Sequence, residues 1–238
     1  MVAGDNVDDA CVLVHNNWIV GGQAKRYRFK EHLLWHVDKD NYYSCPDRKY
    51  ITYDNPENFD VRSMLAKEDG ALRNAFAIAH ILNRTLILPL FHCQDCIIHC
   101  GAARNAKPAS RVVSEMTKPH CYVGAYYNIA QLDRHLPYRE SVFLKHPLVP
   151  MSIKQSVSPV LKITSGHGRS KQDTENDFVM NIDNATTKEE IVQWFARYSS
   201  VSVLRFLSLY DVFSSFETFS DINYKLNQGL VKSTYRQY

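Results

Sequence analysis

Leu72, Ala75, Phe76, Ala79 and Leu82 recur three or four residues apart, which is the repeat of one helix face and predicts an amphipathic helix. Asn83-Arg84-Thr85 interrupts the pattern, and Leu86-Ile-Leu88 before Pro89 reads as a short buried strand closed by proline. The same step recurs near the other end. Thr187 and Glu190 stand at capping-box spacing and open Ile191 to Tyr198, a short amphipathic helix. Val201 to Leu209 follows as a largely apolar strand. Two helix-to-strand steps predict an α/β layer.

Between and around these steps the pattern is shorter. Cys11-Val-Leu-Val14 is an apolar run that delivers His15, Asn17 and Trp18 to a loop. Gly21 and Gly22 follow, and Gln23 to Trp35 predicts a helix with Lys25 near its start. Asp38 to Asp47 is polar, contains Pro46 and reads as a linker. Lys49 to Tyr53 alternates as a strand and breaks at Asp54-Asn-Pro56. Ser141 to Leu144 and Leu161 to Ile163 predict further strands, and Asp221 to Lys232 predicts a last helix. The glycine-rich, basic run Ser165 to Ser170 lacks a following helix signal and reads as a loop rather than an anion cradle. The expected organisation is therefore a unit ending at residue 37, a linker over 38–48 and an α/β domain over 49–238.

The first stretch carries the clearest candidate chemistry. A neutral imidazole at a strand end can coordinate a divalent cation, and a nearby lysine can hold a phosphate. Glycines permit close backbone approach to a ligand. A lone histidine there is more often a hydrogen-bonded, half-buried residue than a ligand, and a glycine pair is common turn punctuation. The string His15-Asn-Asn17-Trp18 through Gly21 and Lys25 resembles the C-terminal signature of nucleotide-diphospho-sugar transferase domains of the glycosyltransferase family 77 type. The resemblance implies the tail of a GT-A-type domain, with His15 as a Mn²⁺ ligand and Lys25 as a diphosphate contact. Asn17, Trp18, Gly21 and Gly22 would shape the donor loop. Leu72 through Pro89 is similar to a helix–strand element of O-fucosyltransferase-type enzymes and of the C-terminal extension of plant arabinosyltransferase-like proteins. It implies a Rossmann-like C-terminal domain. Core packing accounts for its apolar positions, which leaves Arg73 and Asn74 as ligand candidates.

Composition narrows the classes. With 238 residues and 45% apolar content the chain can bury a sizeable core. A net charge of +3 gives no case for a nucleic-acid partner. Residues 1 to 10 lack a signal-peptide pattern, and no apolar run is long enough to span a bilayer. The resemblance implies the Golgi lumen or secretory pathway, with a nucleotide sugar and a glycan acceptor as partners and any membrane anchor outside the chain.

Six cysteines are present, and Cys93, Cys96 and Cys100 crowd beside His92 and His99. Disulfides involving Cys121 and Cys45, a zinc site, and free thiols are the three readings, and connectivity is not readable from spacing. Asn83-Arg-Thr and Asn184-Ala-Thr match the glycosylation sequon.

The leading expectation is a glycosyltransferase fragment that transfers a sugar from a nucleotide-diphospho-sugar, with a cation and a lysine stabilising the leaving diphosphate. The chain departs from that pattern at one place: it has no Asp-x-Asp at the end of an upstream apolar strand. Weak or absent donor binding by this chain alone follows. The competing expectation is a non-catalytic carbohydrate-binding or interaction module of α/β fold. A third is a zinc-stabilised domain.

Overall fold

A computed structural model describes residues 21–55, 61–92, 120–121, 123–165, 178–182, 186–210, 212–213 and 220–232. Its frame is a six-stranded sheet built from β1 (Tyr50–Tyr53), β2 (Thr85–Ile87), β5 (Tyr138–Arg139), β6 (Val157–Ser165), β7 (Phe178–Ile182) and β8 (Val203–Phe206). The order is β5-β2-β1-β8-β6-β7, and every neighbouring pair is parallel. A two-stranded antiparallel ribbon, β3 (Phe91–His92) with β4 (His120–Cys121), stands apart from it. The helices are α1 (Gly22–Glu31), α2 (Val61–Ile81), α3 (Ile129–His135), α4 (Met151–Gln155), α5 (Lys188–Phe195) and α6 (Ser220–Gly229). This is the α/β architecture expected from the helix-to-strand steps, with the Rossmann-like parallel sheet that the resemblance implied, whereas residues 1–20 of the expected GT-A-type tail lie outside the described residues.

Alternation along the strands divides the core in two. Ile51, Leu86, Leu161, Leu204 and Phe206 face α2, α3, α5 and α6. Tyr50, Ile87 and Val203 face the other way, against Tyr43, Phe143, Val149 and Ile153. Each fully buried side chain of this size is worth about 1.5–3 kcal/mol. The two faces follow from crossover handedness. The chain steps from β1 to β2 to β5 in one direction, with α2 and α3 on the first face. It returns from β5 to β6 in the opposite direction, with Phe143 through Ile153 on the second face. Right-handed crossovers in opposite directions must use opposite faces.

Local chemistry sets the ends of the elements. α2 stops where Asn83, exposed and at φ 50, takes the left-handed position between helix and β2. The Arg84 side chain beside it is buried and donates to the carbonyls of Val201 and Tyr198, both at 2.9 Å, and of Tyr50 and Ser202, both at 3.4 Å. One guanidinium thus joins the starts of β1 and β8. Thr187 and Glu190 form the reciprocal capping box of α5.

Several boundaries differ from the sequence reading. α1 ends at Glu31, short of Trp35, because Leu33 turns left-handed at φ 58 and the Leu34 amide bonds back to the Phe29 carbonyl at 2.8 Å. Ser141 to Leu144 is not a strand. Its strand is the two-residue β5 just before, and Phe143–Lys145 is a 3-10 turn. The apolar content there is spent on burying Phe143 on the second face, and Ser141 is held by Glu31 instead of by a neighbouring strand. Residues 38–48 carry a 3-10 turn at Lys39–Asn41, and Tyr43 within them is buried and stacked on His146 at 3.9 Å. Ala24 and Tyr27 of α1 share one core cluster with α2 and α3.

Candidate functional site

In open parallel sheets ligands sit beyond the carboxyl ends of the strands, at the place where successive crossovers depart in opposite directions. In this order β1 leads away toward β2 and β6 leads away toward β7, with β8 between them. The residues ending β1 and β8 therefore lie at that crevice. Asp54 follows β1, and its amide donates to the Phe206 carbonyl at 3.1 Å. The Arg205 guanidinium donates to the Asp54 carboxylate at 3.1 Å, and both side chains are 48% exposed. Asn55, next in the chain, donates its amide to the Leu90 carbonyl beyond β2. Among the described residues its buried Oδ1 has no hydrogen-bond partner, and neither has the buried Tyr53 hydroxyl.

The polar side chains of α2 are fixed within the fold. Asn74 of α2 donates to the Leu209 carbonyl at 2.8 Å, which pins the segment after β8 to the helix. Asp69 accepts from Tyr127, from Lys232 at 2.6 Å and from Arg73 at 3.3 Å. Burial pushes the Asp69 carboxyl up, but the hydrogen bonds from Lys232 and Tyr127 and the nearby positive charges outweigh it and hold it below the usual range. Arg73 also reaches Asn227. Arg73 and Asn74 are thus engaged within the fold.

A second polar cluster closes the β5 edge. Glu31, buried, accepts from Tyr27, from the Ser141 hydroxyl at 2.7 Å and from the Ser141 amide at 3.2 Å. Glu140, buried, accepts from the Tyr42 hydroxyl at 2.6 Å and lies 3.5 Å from the Lys30 ammonium. The Tyr42 ring lies under Lys30 at 3.3 Å and under the Arg139 guanidinium at 3.8 Å. Two carboxylates and two cations are therefore enclosed together. Burial lowers the Lys30 ammonium and raises the Glu31 carboxyl.

Of the residues that the sequence singles out, Gly21, Gly22 and Lys25 come together at the start of α1. Gly21 has φ 94, a conformation that requires glycine, whereas a Cβ on Gly22 would meet nothing within 4 Å. This helix start belongs to α1, which packs against α3. His15, Asn17, Trp18, Cys93, Cys96, Cys100 and Asn184 lie outside the described residues. Cys121 is in β4, in register with Phe91. Cys45 is a free thiol. Among the described residues no three His, Cys, Asp or Glu side chains converge as a cation requires. No described helix is long and apolar enough to cross a membrane.

Asp54 and Arg205 were not evident as site residues in the sequence. Asp54 reads as a strand breaker and Arg205 as the one charge in an apolar run. The signal was their position at strand ends, which gains meaning only once β1 and β8 are known to be neighbours.

No protein-family model matches the chain. Arabinosyltransferase XEG113 of Arabidopsis thaliana is 24% identical over 218 residues, covering 82% of this chain and 33% of that protein. The chain spans about a third of this curated relative's length. Among solved structures, POFUT1 in complex with GDP-fucose matches at TM-scores of 0.42 and 0.44 in two crystal forms, at 15% and 12% identity. Both matches cover 80% of this chain and 53% of that one. The chain is thus similar over most of its length to part of a glycosyltransferase.

Proposed function

We propose that this chain is a domain of a glycosyltransferase that handles a nucleotide-diphospho-sugar donor and a glycan or glycoprotein acceptor. The observation that carries the reading is the similarity to an arabinosyltransferase across 82% of the chain, a span too long to reflect one helix–strand element. The parallel sheet supports it, because a sheet of this strand order is a frame that binds ligands beyond the carboxyl ends of its strands. In such a transfer the enzyme must stabilise the charge that develops on the leaving diphosphate. Lys25 at the start of α1 is the proposed contact within the described residues, and His15 the proposed Mn²⁺ ligand preceding it. Mn²⁺ would supply Lewis-acid neutralisation of the diphosphate.

The same reading places the chain in the Golgi or secretory pathway, with disulfides among Cys93, Cys96, Cys100 and Cys121 and glycans on Asn184 and Asn83. Mass analysis with and without reduction and deglycosylation reads both modifications. Calorimetry with a panel of nucleotide sugars, with and without Mn²⁺, tests donor handling. Donor binding by this chain alone is expected to be weak or absent, and tight Mn²⁺-dependent binding would overturn that expectation; weak Mn²⁺-dependent binding that is lost in Lys25→Ala supports the proposed contacts, and Mn²⁺-independent binding indifferent to Lys25 contradicts them. One observation favours a second reading, a carbohydrate-binding module without catalysis: the crevice carboxylate Asp54 is committed to Arg205.

A further inference from the structure

We infer that His146 is an acid-sensitive latch that fastens the connection between α1 and β1 to the segment leading into α4, on the second face of the sheet. The latch needs no sugar substrate and stands apart from the sugar-transfer reading. His146 follows the 3-10 turn Phe143–Lys145 and is fully buried. Both of its ring nitrogens end on main chain. Nε2 lies 3.1 Å from the Trp35 carbonyl and must carry the proton there, because a carbonyl only accepts. Nδ1 accepts from the Leu148 amide at 3.2 Å and must be bare. The two bonds fix one neutral tautomer. The Tyr43 hydroxyl donates to the same Trp35 carbonyl at 3.1 Å. Its ring lies on the imidazole at 3.9 Å with the planes 7° apart, and the Tyr43 amide donates to Asp38 at 2.6 Å. One ring thus ties Trp35 and Tyr43 to Leu148.

A second proton breaks this arrangement. At Nδ1 it would face the Leu148 N–H, setting two donors against each other in a site closed to solvent. The groups around the ring do little to accommodate the charge. The His36 ring is 5.4 Å away, and the Lys154 ammonium of α4 donates to the His146 carbonyl at 2.9 Å. Burial pushes the Tyr43 phenol up, so it stays neutral. Burial lowers the His146 imidazole, and His36 and Lys154 add to that, against the Trp35 carbonyl and Asp38. Burial raises the Asp38 carboxyl, but hydrogen bonds from Ser44 and Tyr43 hold it below the usual range, so it stays ionised. An imidazole lowered in the folded state contributes stability that is fully present above its unfolded-state value and is lost as pH falls through the folded-state value. Glu31, whose carboxyl burial raises, acts with the opposite sign. Acid loosening of this connection therefore cannot come from Glu31.

Hydrogen–deuterium exchange on the full chain between about pH 7.5 and about pH 4.5, corrected for the intrinsic pH dependence of exchange, tests the latch. The Leu148 amide and the amides of residues 35–43 should lose protection by up to about tenfold per pH unit below the ordinary imidazole range, while those of α2 keep theirs. Nitrogen-15 spectra of the imidazoles should show the Nε2–H tautomer for His146 and titration below that range. His146→Gln should leave the connection weakly protected at every pH, without the acid loss. Should that variant fail to fold, His36→Asn serves: His36 is exposed, and removing its ring should shrink the acid loss. Protection lost equally in α2, an Nδ1–H tautomer, or an acid loss that persists in His146→Gln would overturn the inference. So would an acid loss unchanged in His36→Asn.

Discussion

The Arg205 guanidinium and the Asp54 carboxylate meet at 3.1 Å where β8 and β1 end, each about half exposed. Exposed pairs of this kind contribute about 0–1 kcal/mol to stability. Arg205→Gln and Asp54→Asn should therefore shift the urea unfolding free energy by less than about 1 kcal/mol. A larger loss would mean that the pair is part of the frame rather than of a surface that meets a ligand.

Arg84 stands in contrast. Its guanidinium is buried and serves four carbonyls at the starts of β1 and β8, and burial lowers its pKa to about 10. Arg84→Met leaves those carbonyls with fewer donors and should cost about 2–4 kcal/mol. Arg84→Lys should recover only part of this, because an ammonium cannot reproduce the planar fork. Chemical denaturation of the three proteins checks the order.

Gly229 ends α6 against Leu136, and a Cβ there would fall 2.5 Å from Leu136 Cδ1. Gly229→Ala should destabilise by about 1–3 kcal/mol through overpacking. The double variant Gly229→Ala/Leu136→Ala should be less destabilised than the sum of the single changes, as a double-mutant cycle would measure.

Glu31 gives a pH signature. Burial raises its carboxyl above the ordinary range, although hydrogen bonds from Tyr27 and Ser141 oppose the shift. A carboxyl raised in the folded state binds its proton more tightly there than when unfolded. Its contribution is therefore fully present below the unfolded-state value and is lost as pH rises through the folded-state value. Relative to Glu31→Gln, the wild-type chain should lose stability as pH rises from below the ordinary carboxyl range toward neutrality. Urea midpoints across that range read the slope, and a flat difference would contradict the burial argument.

The parts of this fold that are legible in sequence are those set by local physics. The face of α2 follows from 3.6-residue periodicity, the capping box of α5 from Thr187 and Glu190, and the turn at Asn83 from its place between helix and strand. Ser141 to Leu144 misleads because a short edge strand and a 3-10 turn both present two or three apolar residues, and only the partner of Phe143 distinguishes them. Long-range choices are illegible for the same reason. Nothing near Asp54 in sequence announces that Arg205, 151 positions away, will end the neighbouring strand. Gly21 was legible as a glycine position, and its φ of 94 accounts for it, but its place on the α3 side of the molecule was not.

Mass-spectrometric detection of transferred sugar tests the proposed sugar-transfer chemistry. The chain would be incubated with a panel of nucleotide-diphospho-sugars and glycan acceptors in the presence of Mn²⁺, alone and grafted in place of the matching segment of the Arabidopsis thaliana arabinosyltransferase. The expected result is an acceptor mass increase of one sugar residue from the grafted enzyme. No transfer from either form with any donor, together with no binding of a nucleotide sugar, would contradict it.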